Sequence, residues 1–490
     1  MKDPKSTVNQ HIQVGSLSPV VDCGRYPVKR IVGESCVVEA DIFRYGHEIL
    51  RAVIKWRRKH ERKFAEVPMV LVNWGLDHWS GQFPLKENGR YVFTVEAWTD
   101  RFASWVADLK KRVEAGQENV ASEVSEGLRL VRDVQRRAKG RDRKTLDGFI
   151  TKMSESVSHS PAVLELALRD ELSEIMTRLQ KREDSTLHMP FLEVDADRPK
   201  ARFGAWYEIF VRSQGKTPGK GATFRDAEWR FPDIHDMGFD VLYLAPIHPI
   251  GTTNRKGRNN TIRAGKLDPG SPWAIGSKHG GFTEVEPSLG TLSDFDHFVK
   301  AAKRHGLEVA LDFALQCSPD HPWVREHPEW FYHRPDGTIK YAENPPKKYE
   351  DIYPVNFHTE NWKLLWNEIR KILLFWIGHG VKIFRVDNPH TKPTAFWQWL
   401  IEEIHAKHPD VIFLSEAFTR PRVMHALAKA GFTQSYTYFT WRNTKSELTE
   451  YLTELTQSGV EQYLRPNFFV NTPDILQEFL QKGGPPAFRT

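Results

Sequence analysis

Two short segments carry the residues best suited to chemistry: F-R-V-D-N-P-H at Phe384 to His390 and I-F-L-S-E-A-F at Ile412 to Phe418. Each is an apolar, β-prone run that ends on a carboxylate, the pattern of a buried parallel strand delivering one acid to the rim of a sheet. At the C-terminal end of a barrel strand such an acid reads as part of an active site, because βα-loops build their sites on that face. Two acids on neighbouring strand ends, Asp387 and Glu416, can flank one sugar bond, one as nucleophile and one as acid/base. A pair of helix N-caps in an ordinary α/β domain is the competing reading of the same residues.

The elements that must position these acids follow from pattern. After Ala201 the chain alternates strand and helix, with strands at Gly204–Val211, Val241–Ala245, Leu307–Leu315, Ile383–Asn388, Val411–Phe418, Gln434–Phe439 and Phe468–Asn471. Ser293 is placed to cap a helix with Asp296 at its third position and Phe295, Phe298, Val299 and Ala302 on the buried side; Gly306 stops it. Asn361–Ile377 is a second, strongly apolar helix. Repeated βα units with acids at several strand ends predict an α/β fold, a (β/α)8 TIM-type barrel over 195–490. Seven strands are counted before Thr490, so the eighth is expected to be missing and the barrel incomplete at its C-terminus. The Pro- and His-rich stretch 316–356 is long for a βα-loop and is expected to form an inserted subdomain.

Upstream, 1–105 is expected to be a β-sandwich domain, from alternating runs such as S-C-V-V-E-A-D-I-F and R-Y-V-F-T-V-E-A-W, the latter after an Asn88-Gly89 turn. Residues 106–190 form a helical insertion domain, with stripes at Val120, Val124, Leu128 and Val131 and at Leu164, Leu166, Leu172 and Ile175. The basic run Arg136–Lys144 reads as a solvated inter-helix loop in preference to an anion site, and Pro190 with D-A-D-R-P-K forms a linker.

A chain of 490 residues implies two to four domains, and 27% charged residues beside 40% hydrophobic ones place it among soluble globular proteins. A net charge of only +6, spread along the chain, argues against nucleic acid and suits a neutral or phosphorylated substrate. The 16 Trp fit a large core and sugar-stacking surfaces equally well. Cys23, Cys36 and Cys317 lack metal-ligand spacing and point to a reducing compartment. M-K-D-P-K-S-T has no apolar h-region and no window reaches a membrane span, so a cytoplasmic protein is expected, with no membrane partner. No metal motif stands out and no cofactor is expected.

A third acid, Asp474, follows F-F-V-N in F-F-V-N-T-P-D-I-L. Acids at three strand ends in the order Asp387, Glu416, Asp474, with Arg385 two residues before the first and Asp312 ending L-E-V-A-L-D, resemble the α-amylase (glycoside hydrolase 13) family. Gln316-Cys317 stands where most of that family has Asn-His, and N-T-P-D replaces its Asn-His-Asp. These variants, with A-P-I-H-P-I-G at Ala245, N-R-K-G at Asn254, D-F-A-L-Q-C-S-P-D-H-P-W at Asp312 and A-E-N-P-P-K-K-Y at Ala342, resemble the bacterial maltosyl-transferring subgroup over nearly the whole chain.

The resemblance implies a retaining glycosyltransferase that moves maltosyl units from α-maltose 1-phosphate to the non-reducing end of α-1,4-glucans and releases phosphate. Asp387 is implied as nucleophile, Glu416 as proton donor and base, and Asp474 as stabiliser of the distorted sugar. Retention needs the two carboxyl groups only about 5 Å apart, and Glu416 must hold its proton at rest, with its pKa raised by neighbouring negative charge and partial burial. Lys256, Gln316, Asp351 and Asn388 are implied to hold the maltosyl unit, and Asn344 and Tyr349 the phosphate with Lys347 close by. On the residues alone, Lys256 reads as a solvated loop lysine, Asn388 as a helix cap, and Asp351 and Tyr349 as loop-packing residues. Relatives complete the phosphate site with a Lys-Tyr pair in a C-terminal β-domain. That region lies beyond Thr490, so the donor site is expected to be incomplete. The resemblance also implies a homodimer. A related amylase-type hydrolase or 4-α-glucanotransferase, and an inactive glucan-binding protein, are the alternative readings.

Overall fold

The computed structural model of the protein describes residues 10–117, 119–156 and 160–490, so the M-K-D-P-K-S-T segment lies outside the described residues. The chain divides into two compact units. The first takes in the described residues up to Arg25, with Gly33–Leu85 and Arg90–Val194. It holds an antiparallel sheet in the order Ile12–Ser18, Ser35–Arg44, His78–Pro84, Val70–Asn73. A second antiparallel set joins Gly89–Thr99, Leu50–Arg58 and Ala65–Pro68. Strict alternation sets the faces: in Ser35–Arg44, Cys36, Val38, Ala40 and Ile42 are buried while the residues between them are not. Trp56 of the second set stacks on Phe83 of the first with centroids 5.3 Å apart, so the two share one core.

The helices of this unit are Arg101–Glu114, Ala121–Gln135, Gly140–Glu155, Ser160–Ala167 and Asp170–Leu179. The series starts earlier than the pattern indicated, because the Asp100 carboxylate accepts from the Ala103 N–H and caps it. Both apolar stripes meet in one cluster, where Val124, Leu128 and Val131 pack with Leu166, Leu172 and Ile175. The basic run opens as the turn between two helices and ends as the first turn of Gly140–Glu155.

The second unit comprises Tyr26–Val32, Lys86–Gly89 and Asp195–Thr490 and is an α/β fold. Its centre is a seven-stranded parallel sheet of β1 (Trp206–Ile209), β2 (Val241–Leu244), β3 (Glu308–Phe313), β4 (Ile383–Asp387), β5 (Ile412–Glu416), β6 (Gln434–Tyr436) and β7 (Pro466–Asn467), in that order. Between successive strands run α1 (Phe231–Asp236), α2 (Leu292–Arg304), α3 (Trp362–Gly378), α4 (Thr394–His405), α5 (Pro421–Lys429) and α6 (Lys445–Gln457). The central strands β2 to β5 are buried almost throughout, as in parallel sheets covered by crossover helices. One face packs on the helices in the main core, including Leu242, Leu244, Phe298, Trp376 and Trp397. The other encloses a small cluster of Ile31, Ala201, Val241, Tyr243, Ala310, Ile383 and Ile412.

Three local expectations change. The cap of α2 is Thr291, not Ser293: the Thr291 hydroxyl accepts from the Asp294 N–H while the Asp294 carboxylate accepts from the Thr291 N–H, closing a capping box two residues earlier. Phe468–Asn471 is not a strand. Pairing with β6 stops at Asn467, Phe468 and Val470 are exposed, and Phe469 turns to pack on Phe418 and Tyr436. β6 likewise ends at Tyr436, because Phe439 begins a tight turn through Trp441. Within 316–356, Gln316–Cys317 pairs antiparallel with Tyr353–Pro354, and Ala342–Asn344 with Lys347–Tyr349 form a hairpin.

Candidate active site

Asp387 and Glu416 are the last residues of β4 and β5 and stand opposite each other in the parallel register. In the same ladder Asp312 of β3 faces Arg385 of β4. Side chains two apart on a strand share a face, so Arg385 and Asp387 point the same way. The result is one buried guanidinium shared by three carboxyl groups from three adjacent strands. Arg385 Nη1 donates to Asp387 Oδ1 at 2.8 Å and to Asp312 Oδ2 at 3.0 Å, and its Nη2 lies 2.9 Å from Glu416 Oε1. A planar fork of fixed donors suits this bridging where a lysine ammonium does not.

Further donors fix the acids. Asp312 Oδ2 accepts from the Tyr243 hydroxyl at 2.6 Å and from Trp273 Nε1 at 3.2 Å. Asn388 sits in the left-handed region, φ 44°, which turns its backbone N–H onto Glu416 Oε2 at 3.2 Å and its Nδ2 toward Asp387 Oδ2 at 3.4 Å. It does not cap the turn that follows. Lys392 Nζ reaches the carbonyl oxygens of Asp387 and Asn388 at 3.4 and 3.3 Å.

Electrostatics divides the acids by environment. Burial first, and then the charge of Asp387, push the Glu416 carboxyl up to about 7, against the pull of Arg385 and of the Asn388 N–H. Asp312 is likewise raised by burial, with Arg385 opposing. Arg385 stays cationic: burial disfavours its charge, but the carboxyl groups of Asp312, Asp387 and Glu416 outweigh it. Lys392 is lowered by burial, with Asp387 and Glu416 opposing. A carboxyl that keeps its proton near neutrality is what a general acid needs.

Asp474 stands apart from these bonds. It is exposed on the loop beyond β7, where its N–H donates to the Thr472 hydroxyl, and its charge acts on Glu208. A second group forms where the β2 loop meets the 316–356 insertion. Lys256 is buried, contrary to a solvated loop lysine, and ion-pairs with Glu350; Asn254 Nδ2 donates to the Glu350 carbonyl at 3.2 Å. Asp351 is buried beside them, and burial raises its pKa. Asn344 and Lys347 are register partners at the exposed tip of the hairpin, with Tyr349 at its base opposite Ala342, and Gln316 is half-buried in its short strand.

Sequence reasoning did not single out Tyr243, Trp273, Lys392, Glu208 or Tyr436, each of which bears on at least one of the three acids. A signal existed for two. Glu208 is an acid inside an apolar strand, W-Y-E-I, and Lys392 lies five residues after Asp387 in D-N-P-H-T-K.

Adjacent parallel strands ending in paired carboxyl groups, bridged by one arginine, define an α/β protein with a candidate acid-pair site. The sequence profile of the α-1,4-glucan:maltose-1-phosphate maltosyltransferase N/S domain matches residues 10–198. A maltosyltransferase of that name from Myxococcus xanthus is 53% identical over 484 residues, covering 97% of this chain and 72% of that one. Another, from Chlorobaculum tepidum, is 50% identical over 98% of this chain and 71% of its own. An α-amylase from Lactobacillus plantarum, of solved structure, is 28% identical with a TM-score of 0.43, covering 52% of this chain and 60% of that one. The chain belongs to the α-1,4-glucan:maltose-1-phosphate maltosyltransferase family.

Proposed function

We propose that this protein transfers maltosyl units from α-maltose 1-phosphate to the non-reducing end of α-1,4-glucans, with release of phosphate. The register pairing of Asp387 with Glu416 under a shared Arg385 is the observation that carries this reading. Asp387 attacks the anomeric carbon as the C1–O bond to phosphate breaks, and a β-maltosyl ester forms. Glu416 gives its proton to the departing phosphate oxygen. It then takes the proton of the acceptor 4-hydroxyl while that oxygen displaces Asp387, and two inversions give net retention. Asp474 stabilises the distorted sugar, brought in by the loop on which it lies. Lys256, Gln316, Asp351 and Asn388 hold the maltosyl unit, and Asn344, Lys347 and Tyr349 the phosphate. The meeting of the β2 loop with the 316–356 insertion at Lys256 and Glu350 supports this assignment.

The seven parallel strands are read as belonging to a (β/α)8-type barrel over 195–490, preceded by a sandwich over 1–105 and a helical domain over 106–190. A bacterial, cytoplasmic homodimer completes the reading. An exposed sheet edge supports the dimer: Val70–Asn73 is the last strand of its sheet, and Val70, Val72 and Trp74 are 61%, 54% and 84% exposed.

The test is phosphate release from α-maltose 1-phosphate with maltohexaose as acceptor, against Asp387→Ala. Phosphate formed with acceptors longer by two glucose units, and a rate reduced by about 10^3-fold or more in the variant, is the expected result. Acceptor rearrangement without phosphate release would instead identify a glucanotransferase.

A further inference from the structure

Glu208 belongs to the strand that begins the parallel sheet, and nothing in the mechanism above uses it. β1 alternates: Trp206 packs into the cluster with Val241 and Tyr243, while Tyr207 and Ile209 lie on the helix-facing side. Glu208 therefore shares the inward face with Trp206, one step nearer the strand's C-terminal end. Its register partner on β2 is Tyr243, the residue whose hydroxyl donates to Asp312. Every element around it contributes a polar or charged group: Tyr243 from β2, Asp312 from β3, Arg385 from β4, Glu416 from β5, Tyr436 from β6 and Asp474 from the loop after β7. Half-buried in this company, Glu208 has its pKa raised to about 8, by burial first, then by Asp312, Asp474 and Glu416 against Arg385.

With Glu208 counted, four acids, Glu208, Asp312, Asp387 and Glu416, bear on Arg385, the last three also bear on Lys392, and Asp474 acts on Glu208. Such a site repels an anion unless some acids stay protonated. A sugar phosphate is a near-dianion at neutral pH, since its second pKa is about 6. We propose that Glu208, set on the inward face opposite Tyr243 and next to the Asp312–Arg385 pair, is a specificity-determining group of this site, whose charge state decides whether an anionic glycosyl donor enters. The inference rests on the phosphate-donor reading above. It assigns Glu208 no part in bond making; its ionisation sets which donors enter.

The consequence is a donor KM that climbs with pH for a charged donor and not for an uncharged one. The experiment compares wild type, Glu208→Gln and Glu208→Asp from pH 7 to 9, with α-maltose 1-phosphate and with the uncharged donor α-maltosyl fluoride. If the phosphate donor enters only beside neutral Glu208, the ratio of wild-type to Glu208→Gln KM grows by roughly tenfold over this range. For the fluoride it stays flat, and Glu208→Asp, which can still ionise, follows wild type. A ratio constant with pH for the phosphate donor, or one that climbs equally for the fluoride, overturns the proposal. Far-UV circular dichroism verifies the fold of each variant, and Glu208→Ala, which also cannot ionise, carries the same comparison if the Gln variant does not fold. Absence of wild-type turnover on the phosphate donor, with turnover on the fluoride, would instead remove the donor reading on which the proposal rests.

Discussion

Arg385 is the residue on which the site turns. It balances Asp312, Asp387 and Glu416 at once, and its removal would leave three acids without their shared counter-charge. Glu416 remains the easiest of these to read in solution. Its raised pKa keeps the proton below about pH 7 and releases it above. Formation of the covalent ester needs that proton, so kcat/KM for the phosphate donor is expected to fall as pH rises through about 7, and Glu416→Gln to abolish this limb. A wild-type profile flat from pH 6 to 8.5 would assign the acid elsewhere. Asp387 and Glu416 were legible in the sequence because each ends an apolar strand, a purely local pattern. Tyr243 and Trp273 were not, because their bonds to Asp312 join separate segments and exist only once the sheet has formed.

At the level of elements, strand order and helix alternation followed from periodicity, while ends were settled by capping and pairing. Ser293 and Thr291 are both competent caps with an acid three residues on; Thr291 closes the reciprocal pair with Asp294, while the Asp296 carboxylate bonds His379 Nδ1 instead. The run F-F-V reads as a strand, but β6 offers pairing only to Pro466 and Asn467. Helix α2 docks through Phe295, Phe298, Ala301 and Ala302, and Phe298 sits against the rings of Phe224 and Phe231 at 5.4 and 4.9 Å. Phe298→Ala removes a fully buried ring from this cluster and is expected to cost about 3–5 kcal/mol, measured by urea unfolding. A loss under about 1 kcal/mol would mean that the helices collapse into the space.

At the scale of the whole molecule, the segment Tyr26–Val32 belongs to the unit built by the far end of the chain. Ile31 fills the cluster on the inner face of the sheet, and the buried Lys29 Nζ donates to the carbonyl oxygens of Ala428, at 2.8 Å, and of Phe432. No short-range pattern in the sequence marks that partnership. Burial lowers the Lys29 pKa to about 7, with Arg465 adding and Asp197 opposing. Between that value and the ordinary lysine range the unfolded chain binds the extra proton, so this group makes stability rise with pH above 7. Chemical denaturation at pH 7 and pH 9.5 is expected to give a smaller increase for Lys29→Met than for wild type; an undiminished increase would place the proton uptake elsewhere.

The same segment carries a consequence for synthesis. Phe432 lies 403 residues after Lys29. At about 5–20 residues per second, its carbonyl leaves the ribosome some 20–80 seconds later. Throughout that interval the lysine and Ile31 wait, made but without the surface that receives them. The segment is thus a clasp whose eye is made some four hundred residues later, and a nascent chain can fasten it only once that stretch has been translated.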